Sequence, residues 1–274
     1  MTRGGPAREG SSEATSVALY SVLVIAWGLN YVVLRWGLEV AGPLWLAFLR
    51  AGVGALGVLV FLVATGRTGA LDRAGRLDAM LLGVPTTGLF FGLWFVAALS
   101  VPPGQSAVLI YTFPLWVAIL SAALFRHRLG AGPILSIALG FAGVILVSQP
   151  WRTGGAALPP LAVAELLGGA LAWAIGTVIF QRRFEGVEVA EANLYQLAGG
   201  TAVLLVASLL LDPSPPEVSS RLLLVTLWLG LVGTSVAYAI WYALLDRYSA
   251  VSLSAYTFLI PLAALAASFL LLGE

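Results

Sequence analysis

Long apolar stretches alternate with short polar segments along almost the whole chain. A transmembrane helix needs about 20 mostly apolar residues, and stretches of that length recur throughout. Residues 1–15 are instead polar and rich in glycine, which predicts a disordered cytoplasmic tail. The pattern therefore predicts an all-α membrane protein with nine transmembrane helices. Their expected bounds are roughly 16–36, 43–64, 79–99, 104–125, 131–150, 160–181, 189–211, 222–245 and 250–272.

Composition supports a membrane protein because charge is scarce. Of 274 residues, 60% are apolar and 10% are charged, whereas soluble domains have about 25% charged residues. The net charge of +1 gives no basis for binding nucleic acid. The chain has no cysteine, no lysine and a single histidine, His127. These absences exclude thiolate sites, a phosphate-binding loop with its lysine, and a three-histidine zinc site. We expect no metal, no cofactor and no enzymatic activity.

The arginine residues collect on alternate connectors between the predicted helices. Ten lie on one side of the membrane and three on the other, and Arg50 lies inside the second helix. Because cytoplasmic loops carry the excess of basic residues, the N-terminus is predicted to be cytoplasmic, in a multi-pass protein of the inner membrane. The ten are Arg3, Arg8, Arg67, Arg73, Arg76, Arg126, Arg128, Arg182, Arg183 and Arg247, and the three are Arg35, Arg152 and Arg221.

An internal repeat is visible at an offset of 147 residues. The repeating unit is five helices, and an odd number predicts that the second copy is inverted in the membrane. The first repeat is expected over 16–150 and the second over 160–274. Since nine helices are predicted, the second repeat is expected to lack its last helix in the chain as given. The aligned residues are Gly83, Thr87, Phe91, Trp94, Phe95 and Pro114 with Gly230, Thr234, Tyr238, Trp241, Tyr242 and Pro261.

Several motifs in this order resemble the drug/metabolite transporter superfamily, specifically its EamA-type exporters. The resemblance implies two five-helix repeats and transport, and the aromatic-rich helices are most similar to YddG-type aromatic amino-acid exporters. The chain departs from the family pattern where Phe125-Arg126-His127-Arg128 replaces a Gly-Glu pair. The motifs are Ala26-Trp27-Gly28-Leu29-Asn30, Pro43 followed by Arg50, Pro114, and Pro261 followed by Leu272-Gly273-Glu274.

The third and eighth predicted helices carry polar and aromatic stripes at steps of four and three, which place their members on one helix face. One interpretation is that these faces line a cavity in which rings stack on an apolar solute. The alternative is a lipid-facing or interfacial aromatic belt. The stripes are Thr87, Phe91 and Trp94, and Thr234, Tyr238 and Trp241.

Trp27 and Trp173 lie ~16–20 Å inside their predicted helices, which is too deep for a belt. With Asn30 and Thr177 nearby, they predict a substrate site at the midplane. The alternative is tight helix packing through small residues. Further polar-tipped candidates at middle depth are Tyr111, Tyr195, Gln196 and Tyr256.

Arg50 and Glu165 are the clearest charges inside predicted helices, each ~8–10 Å deep. Arg50 is expected to hold a substrate carboxylate or to pair with Glu165 as an outer gate, and the alternative is snorkelling to the interface. Pro114 and Pro261, in mid-helix, are expected to kink their helices and serve as hinges.

These features predict a monomeric secondary transporter that works by alternating access through a midplane cavity in the lipid bilayer. The resemblance implies export of aromatic and other apolar amino acids. Drugs, purines or other metabolites are alternative substrates, and a membrane-embedded enzyme is a remote alternative.

Overall fold

The computed structural model of the chain describes residues 9–125, 158–184, 189–212, 214–245 and 247–273, and positions 132, 134, 135, 138, 139 and 142. Within these residues all regular structure is helical, and eight helices are long and apolar enough to cross a membrane. The helix predicted over 131–150 falls almost entirely outside them, so the count of nine stays a prediction. The eight are α1 (Glu9–Gly37), α2 (Pro43–Thr65), α3 (Arg73–Ala97), α4 (Pro103–Leu124), α5 (Pro160–Arg183), α6 (Val189–Leu211), α7 (Ser220–Leu245) and α8 (Ala250–Leu272).

Two helices begin earlier than the hydrophobic pattern predicts. Helix α1 begins at Glu9, so residues 9–15 are helical rather than disordered, and residues 1–8 lie outside the described part. Helix α3 begins at Arg73 rather than at 79. Its cap is Asp72, whose carboxylate accepts a hydrogen bond from the Gly75 N–H at 2.7 Å. Hydropathy marks the part of a helix that meets lipid, whereas a capped polar turn extends the helix beyond it.

Helices α3 and α7 each contain a π-helical segment near their middle, Val84–Leu89 in α3 and Trp228–Val236 in α7. In a π turn the hydrogen bonds span one residue more than in an α-helix. The extra residue displaces every following side chain around the helix axis. Such segments occur frequently at functional sites.

Helices α4 and α8 are each interrupted just before a proline. Pro114 follows directly after α4 resumes at Phe113, and Pro261 lies two residues after α8 resumes at Leu259. Proline has no N–H to donate, and its ring crowds the carbonyl four residues earlier. The helices are therefore interrupted at both positions, and the expected kinks and the role of the prolines as hinges stay predictions.

These irregularities recur at the offset of 147 that the sequence shows. Adding 147 to 84–89 gives 231–236, which lies inside the π segment of α7. The caps Asp72 and Ser219 are also 147 apart, and each side chain accepts a hydrogen bond from the N–H three residues later. The two halves thus share local backbone features as well as residues.

Helices α2 and α6 pack against each other, and each also packs against a π segment. Helix α2 contacts that of α7, while α6 contacts that of α3. Helix α1 packs along α8, and α5 packs along α4. Glycines allow the close approach, because a Cβ at Gly54 would lie 2.7 Å from Thr234 Cγ2 and a Cβ at Gly200 would lie 2.2 Å from Thr87 Cβ.

The outward faces of the helices carry large apolar side chains. On a soluble protein this much exposed apolar surface would drive aggregation, whereas in a bilayer it meets hydrocarbon. The exposed side chains include Leu56, Val60, Val63, Leu161, Leu210, Leu224, Phe269 and Leu270. This surface fits the predicted transmembrane bundle.

Candidate functional site

A small cavity lies inside the bundle, between α1, α2, α3, α4, α5 and α7. Its volume is about 30 Å³, which is room for roughly two water molecules. A larger solute therefore requires its walls to move apart. The lining residues are Trp27, Asn30, Tyr31, Arg50, Phe90, Trp94, Ile110, Tyr111, Phe113, Trp173 and Tyr238.

Aromatic rings form most of the wall of this central cavity and contact one another. The ring of Trp173 lies 5.1 Å from that of Phe90, 5.2 Å from that of Tyr238 and 5.8 Å from that of Trp27, measured between centroids. Such pairs contribute about 0.5–1.5 kcal/mol each beyond the burial of their area. The rings offer the same flat apolar faces to a solute that enters between them.

Arg50 of α2 is the one cation in the wall of the central cavity, and it is only 1% exposed. Its Nε donates to the Thr234 hydroxyl at 2.9 Å, and its Nη2 donates to the Gly233 carbonyl at 3.1 Å. Its guanidinium carbon lies 4.1 Å from the centre of the Phe91 ring, a cation–π contact. Its Nη1 has no hydrogen-bond partner. The side chain is held firmly and keeps one donor free.

The π segment of α7 supplies a carbonyl to this site. The Gly233 oxygen accepts from Trp27 Nε1 at 3.3 Å as well as from Arg50. With its amide turned so that both ends are satisfied, Asn30 accepts from Arg50 Nη2 at 3.3 Å and donates to the Ala26 carbonyl at 3.3 Å. The local unwinding of α7 thus connects α1, α2 and α7 at one point.

Half of the twelve predicted substrate-binding residues line the central cavity, together with Arg50. The interpretation of the two stripes as a lipid-facing belt is wrong, since all six of their members are buried inside the bundle. The snorkelling alternative for Arg50 is wrong for the same reason. The predicted residues that line the cavity are Trp27, Asn30, Arg50, Trp94, Tyr111, Trp173 and Tyr238.

Three predicted residues are buried directly behind the cavity wall or within a helix contact. Phe91 lies under Arg50, and Trp241 packs its ring 5.5 Å from that of Trp27. Thr177 of α5 is 1% exposed and does not line the central cavity. They support the site rather than forming its surface.

The remaining predicted residues lie away from the central cavity. Tyr195 packs beneath Arg76, and Gln196 accepts a hydrogen bond from the Tyr242 hydroxyl at 2.7 Å. Tyr256 is 63% exposed. Glu165 is partly exposed on α5, and within the described ranges it forms no ion pair with Arg50. The expected gate between these two charges is absent there.

Four lining residues are not among those predicted from the sequence: Tyr31, Phe90, Ile110 and Phe113. The spacing along the sequence does indicate Tyr31 as a lining residue, since it follows Trp27 by four residues on α1 and therefore shares its helix face. Phe90 precedes Trp94 by four residues and therefore shares its face, but the π segment Val84–Leu89 displaces the preceding part of α3, which includes Thr87, by about one residue. The stripe counted at α-helical spacing therefore pointed to Phe91, which lies behind the wall.

Two further spaces flank the central cavity. A narrow vestibule shares Tyr31 and Trp94 with it, and these rings lie 4.9 Å apart. A side groove of about 240 Å³ lies between α1 and the α7–α8 region, where the Tyr20 hydroxyl donates to the Tyr256 carbonyl. The remaining vestibule residues are Leu34, Arg35, Leu38, Ala98, Val101, Pro103 and Ser106, and the groove is lined by Glu13, Ser16, Val17, Tyr20, Leu244, Tyr248, Leu253 and Tyr256.

A buried carboxylate lies outside the central cavity, near the connector between α2 and α3. Glu191 of α6 is 2% exposed and accepts hydrogen bonds from three consecutive backbone N–H groups, those of Gly69, Ala70 and Leu71, at 2.6–3.2 Å. Arg76 lies 3.6 Å from it. Across the described ranges no cluster of acidic or histidine side chains could hold a metal ion.

Comparisons with known proteins identify relatives over almost the whole chain. A model of the EamA-like transporter family matches residues 15–149 and 161–274. Protein PecM of Dickeya dadantii is 31% identical over 254 residues, which cover 90% of this chain and 81% of PecM. A probable amino-acid metabolite efflux pump of Escherichia coli K12 is 29% identical over 266 residues, which cover 92% of this chain and 85% of the pump.

A solved protein structure shares the fold. Its crystal structure superposes with a TM-score of 0.77 over 94% of this chain and 88% of its own, at 18% sequence identity. At this level of identity the match concerns the path of the backbone and not the choice of solute.

Proposed function

The chain belongs to the EamA-like transporter family, within the drug/metabolite transporter superfamily, as its motifs predict, and from this premise we propose that it exports aromatic and other apolar amino acids across the cytoplasmic membrane. One observation carries the proposal. The central cavity is buried in the bundle, lined mainly by aromatic rings, and too small to hold such a solute unless its walls move. A site of this kind binds a solute transiently and releases it after a rearrangement.

The rearrangement is alternating access between two inverted repeats. Three findings support it: the π segments correspond at the offset of 147, the helix breaks before prolines correspond too, and the packing partners are exchanged between halves. Helix α2 of one half contacts the π segment of the other, and α6 does the reverse. Rocking one half against the other then opens one end of the cavity while closing the other.

The two flanking spaces give the solute its route. If the N-terminus is cytoplasmic, the side groove at Tyr20 and Tyr256 lies toward the cytoplasm, and the vestibule at Arg35 lies toward the outside. The Tyr31–Trp94 pair separates the central cavity from the vestibule. Parting these two rings is the opening step on the outer side.

The choice of amino acids rests on the rings and on the relatives. Once the walls have moved apart, a flat or branched apolar side chain can lie between Trp27, Phe90 and Trp173, where each ring contact contributes to its stabilisation. The E. coli relative is named as a probable amino-acid metabolite efflux pump. Drugs and purines also have apolar flat surfaces, so they remain the competing solutes in the test.

The test is counterflow in proteoliposomes loaded with one unlabelled solute and supplied with labelled phenylalanine, leucine, adenine or a sugar. We expect saturable flux of phenylalanine and leucine. Flux of adenine or the sugar alone would overturn the amino-acid proposal and leave the transporter family untouched.

Paired tryptophan variants connect the flux to the central cavity. Trp27→Ala removes the indole side chain that contacts Trp173 and Trp241, and it is expected to lower phenylalanine flux about tenfold. Trp36→Ala is the control, because Trp36 lies on the same helix outside the cavity. Equal flux from both variants would place the route elsewhere.

A further inference from the structure

The wall of the central cavity carries one full positive charge and no acidic side chain. Arg50 is its cation, and the other ionisable groups in the wall are the phenols of Tyr31, Tyr111 and Tyr238. Among the described residues no carboxylate pairs with it. A buried cation without a counter-ion has lost its hydration and has gained no ion pair in return, so it favours any anion that reaches it.

Free hydrogen-bond donors in the wall point to the same ligand chemistry. Arg50 Nη1 and Trp94 Nε1 are both buried and without an acceptor, and the guanidinium carbon lies 5.4 Å from the Trp94 ring. Charged acceptors such as a carboxylate form the strongest hydrogen bonds with guanidinium and indole N–H groups. A carboxylate has two oxygens that can accept from such donors.

The wall offers much less to an ammonium group. Its acceptors are neutral: phenol oxygens, the Asn30 amide and the faces of the rings. Bringing an ammonium group into such a site costs hydration without an ion pair, and it also places a second positive charge near Arg50. An amino acid therefore binds through its carboxylate, with its ammonium group adding little.

On the basis of the proposed function, we propose that the central cavity recognises aromatic and branched apolar carboxylates through Arg50 and does not require the α-ammonium group. The corresponding 2-hydroxy and 2-oxo acids are then substrates alongside the amino acids. Amines that have the same side chain but no carboxylate bind much more weakly. Arg50 acts as the specificity-determining residue.

Three compounds with one ring system test this proposal in wild-type proteoliposomes. Phenyllactate lacks the ammonium group of phenylalanine, and phenethylamine lacks the carboxylate. We expect phenyllactate to inhibit phenylalanine counterflow at least as well as phenylalanine itself, and phenethylamine to be weaker by about tenfold or more. Phenethylamine that inhibits as strongly as phenyllactate would overturn the proposal.

Substitutions at Arg50 give a second measurement. Arg50→Gln is expected to abolish the preference for phenyllactate over phenethylamine, while Arg50→Lys, which keeps a cation, retains part of it. An unchanged preference in Arg50→Gln overturns the assignment. If that variant does not fold, the wild-type compound series decides alone. Flux of phenylalanine and phenethylamine without phenyllactate refutes only this inference, whereas inhibition by none of the three refutes the proposed function as well.

Discussion

Glu191 shows how much a single buried charge contributes to this bundle. Its carboxylate is the acceptor for the N–H groups of Gly69, Ala70 and Leu71, which have no helix to satisfy them. It thereby holds the connector between α2 and α3 against the start of α6. Removing an acceptor of this kind leaves several buried donors unpaired at once.

We predict that Glu191→Ala lowers the free energy of unfolding by about 3 kcal/mol or more. Glu191→Gln keeps one carbonyl oxygen and is expected to lose less. The measurement is thermal unfolding of the purified protein in detergent. Glu217→Ala is the control, since Glu217 is exposed. A Glu191→Ala variant as stable as this control would contradict the role given to the carboxylate.

For single residues, the sequence predicts how deep a side chain lies in the membrane better than it predicts which residues that side chain contacts. Polar or amphipathic groups deep in an apolar segment indicate a functional role, and the four that carry this signal most clearly all line the central cavity: Trp27, Asn30, Arg50 and Trp173. Glu191 carries no such signal, because a carboxylate in the first turn of a helix is common. Its three donors come from a connector about 120 residues away, which no local pattern reveals.

Helix irregularity decides which side chains of an element reach the site. In helix α3 the π segment begins at Val84, and after it Phe90 rather than Phe91 lines the cavity. A prediction from hydrophobic periodicity assumes a constant number of residues per helical turn. It therefore assigns side chains to the wrong helix face wherever that number changes. The proline interruptions were predictable by contrast, since proline breaks a helix through its own covalent structure.

Glycine contacts between helices give a prediction at this scale. A Cβ at Gly83 of α3 would lie 2.0 Å from the Gln196 carbonyl oxygen of α6, and a backbone atom cannot rotate away. We expect Gly83→Ala to destabilise the fold by about 2 kcal/mol or more. Gly52→Ala is the matched control, since its Cβ would meet Thr201 at an ordinary 3.6 Å.

The measurement is the fraction of protein that stays monodisperse on size-exclusion chromatography in detergent after heating. Gly83→Ala is expected to lose this fraction at lower temperature than the wild type, while Gly52→Ala follows the wild type. Equal survival of both variants would show that α3 and α6 can separate without cost.

At the scale of the whole molecule, orientation in the membrane follows from the arginine distribution. Because the chain has no cysteine, single cysteines can be introduced without background. Ser100 lies in the exposed connector after α3, and Thr68 in the exposed connector after α2. With a cytoplasmic N-terminus, these connectors lie outside and inside, respectively.

We predict that a membrane-impermeant maleimide labels Ser100→Cys in intact cells and labels Thr68→Cys only after the membrane is opened. The reverse pattern would invert the proposed direction of the side groove and the vestibule. The eight membrane-spanning helices that the structure describes, and their order, are predictable from hydropathy, whereas the exchange of packing partners between halves depends on contacts far apart in sequence.

The closely packed aromatic rings in the cavity wall also allow solute binding to be followed by intrinsic spectroscopy. Four of its nine tryptophans, Trp27, Trp94, Trp173 and Trp241, belong to one group of touching rings around the central cavity. A solute that parts these rings changes their excitonic coupling and their emission. We predict a saturable change in near-ultraviolet circular dichroism and in intrinsic fluorescence on titration with phenyllactate, weakened in Trp173→Phe. Occupancy can thus be followed on unlabelled protein, without any flux across a membrane.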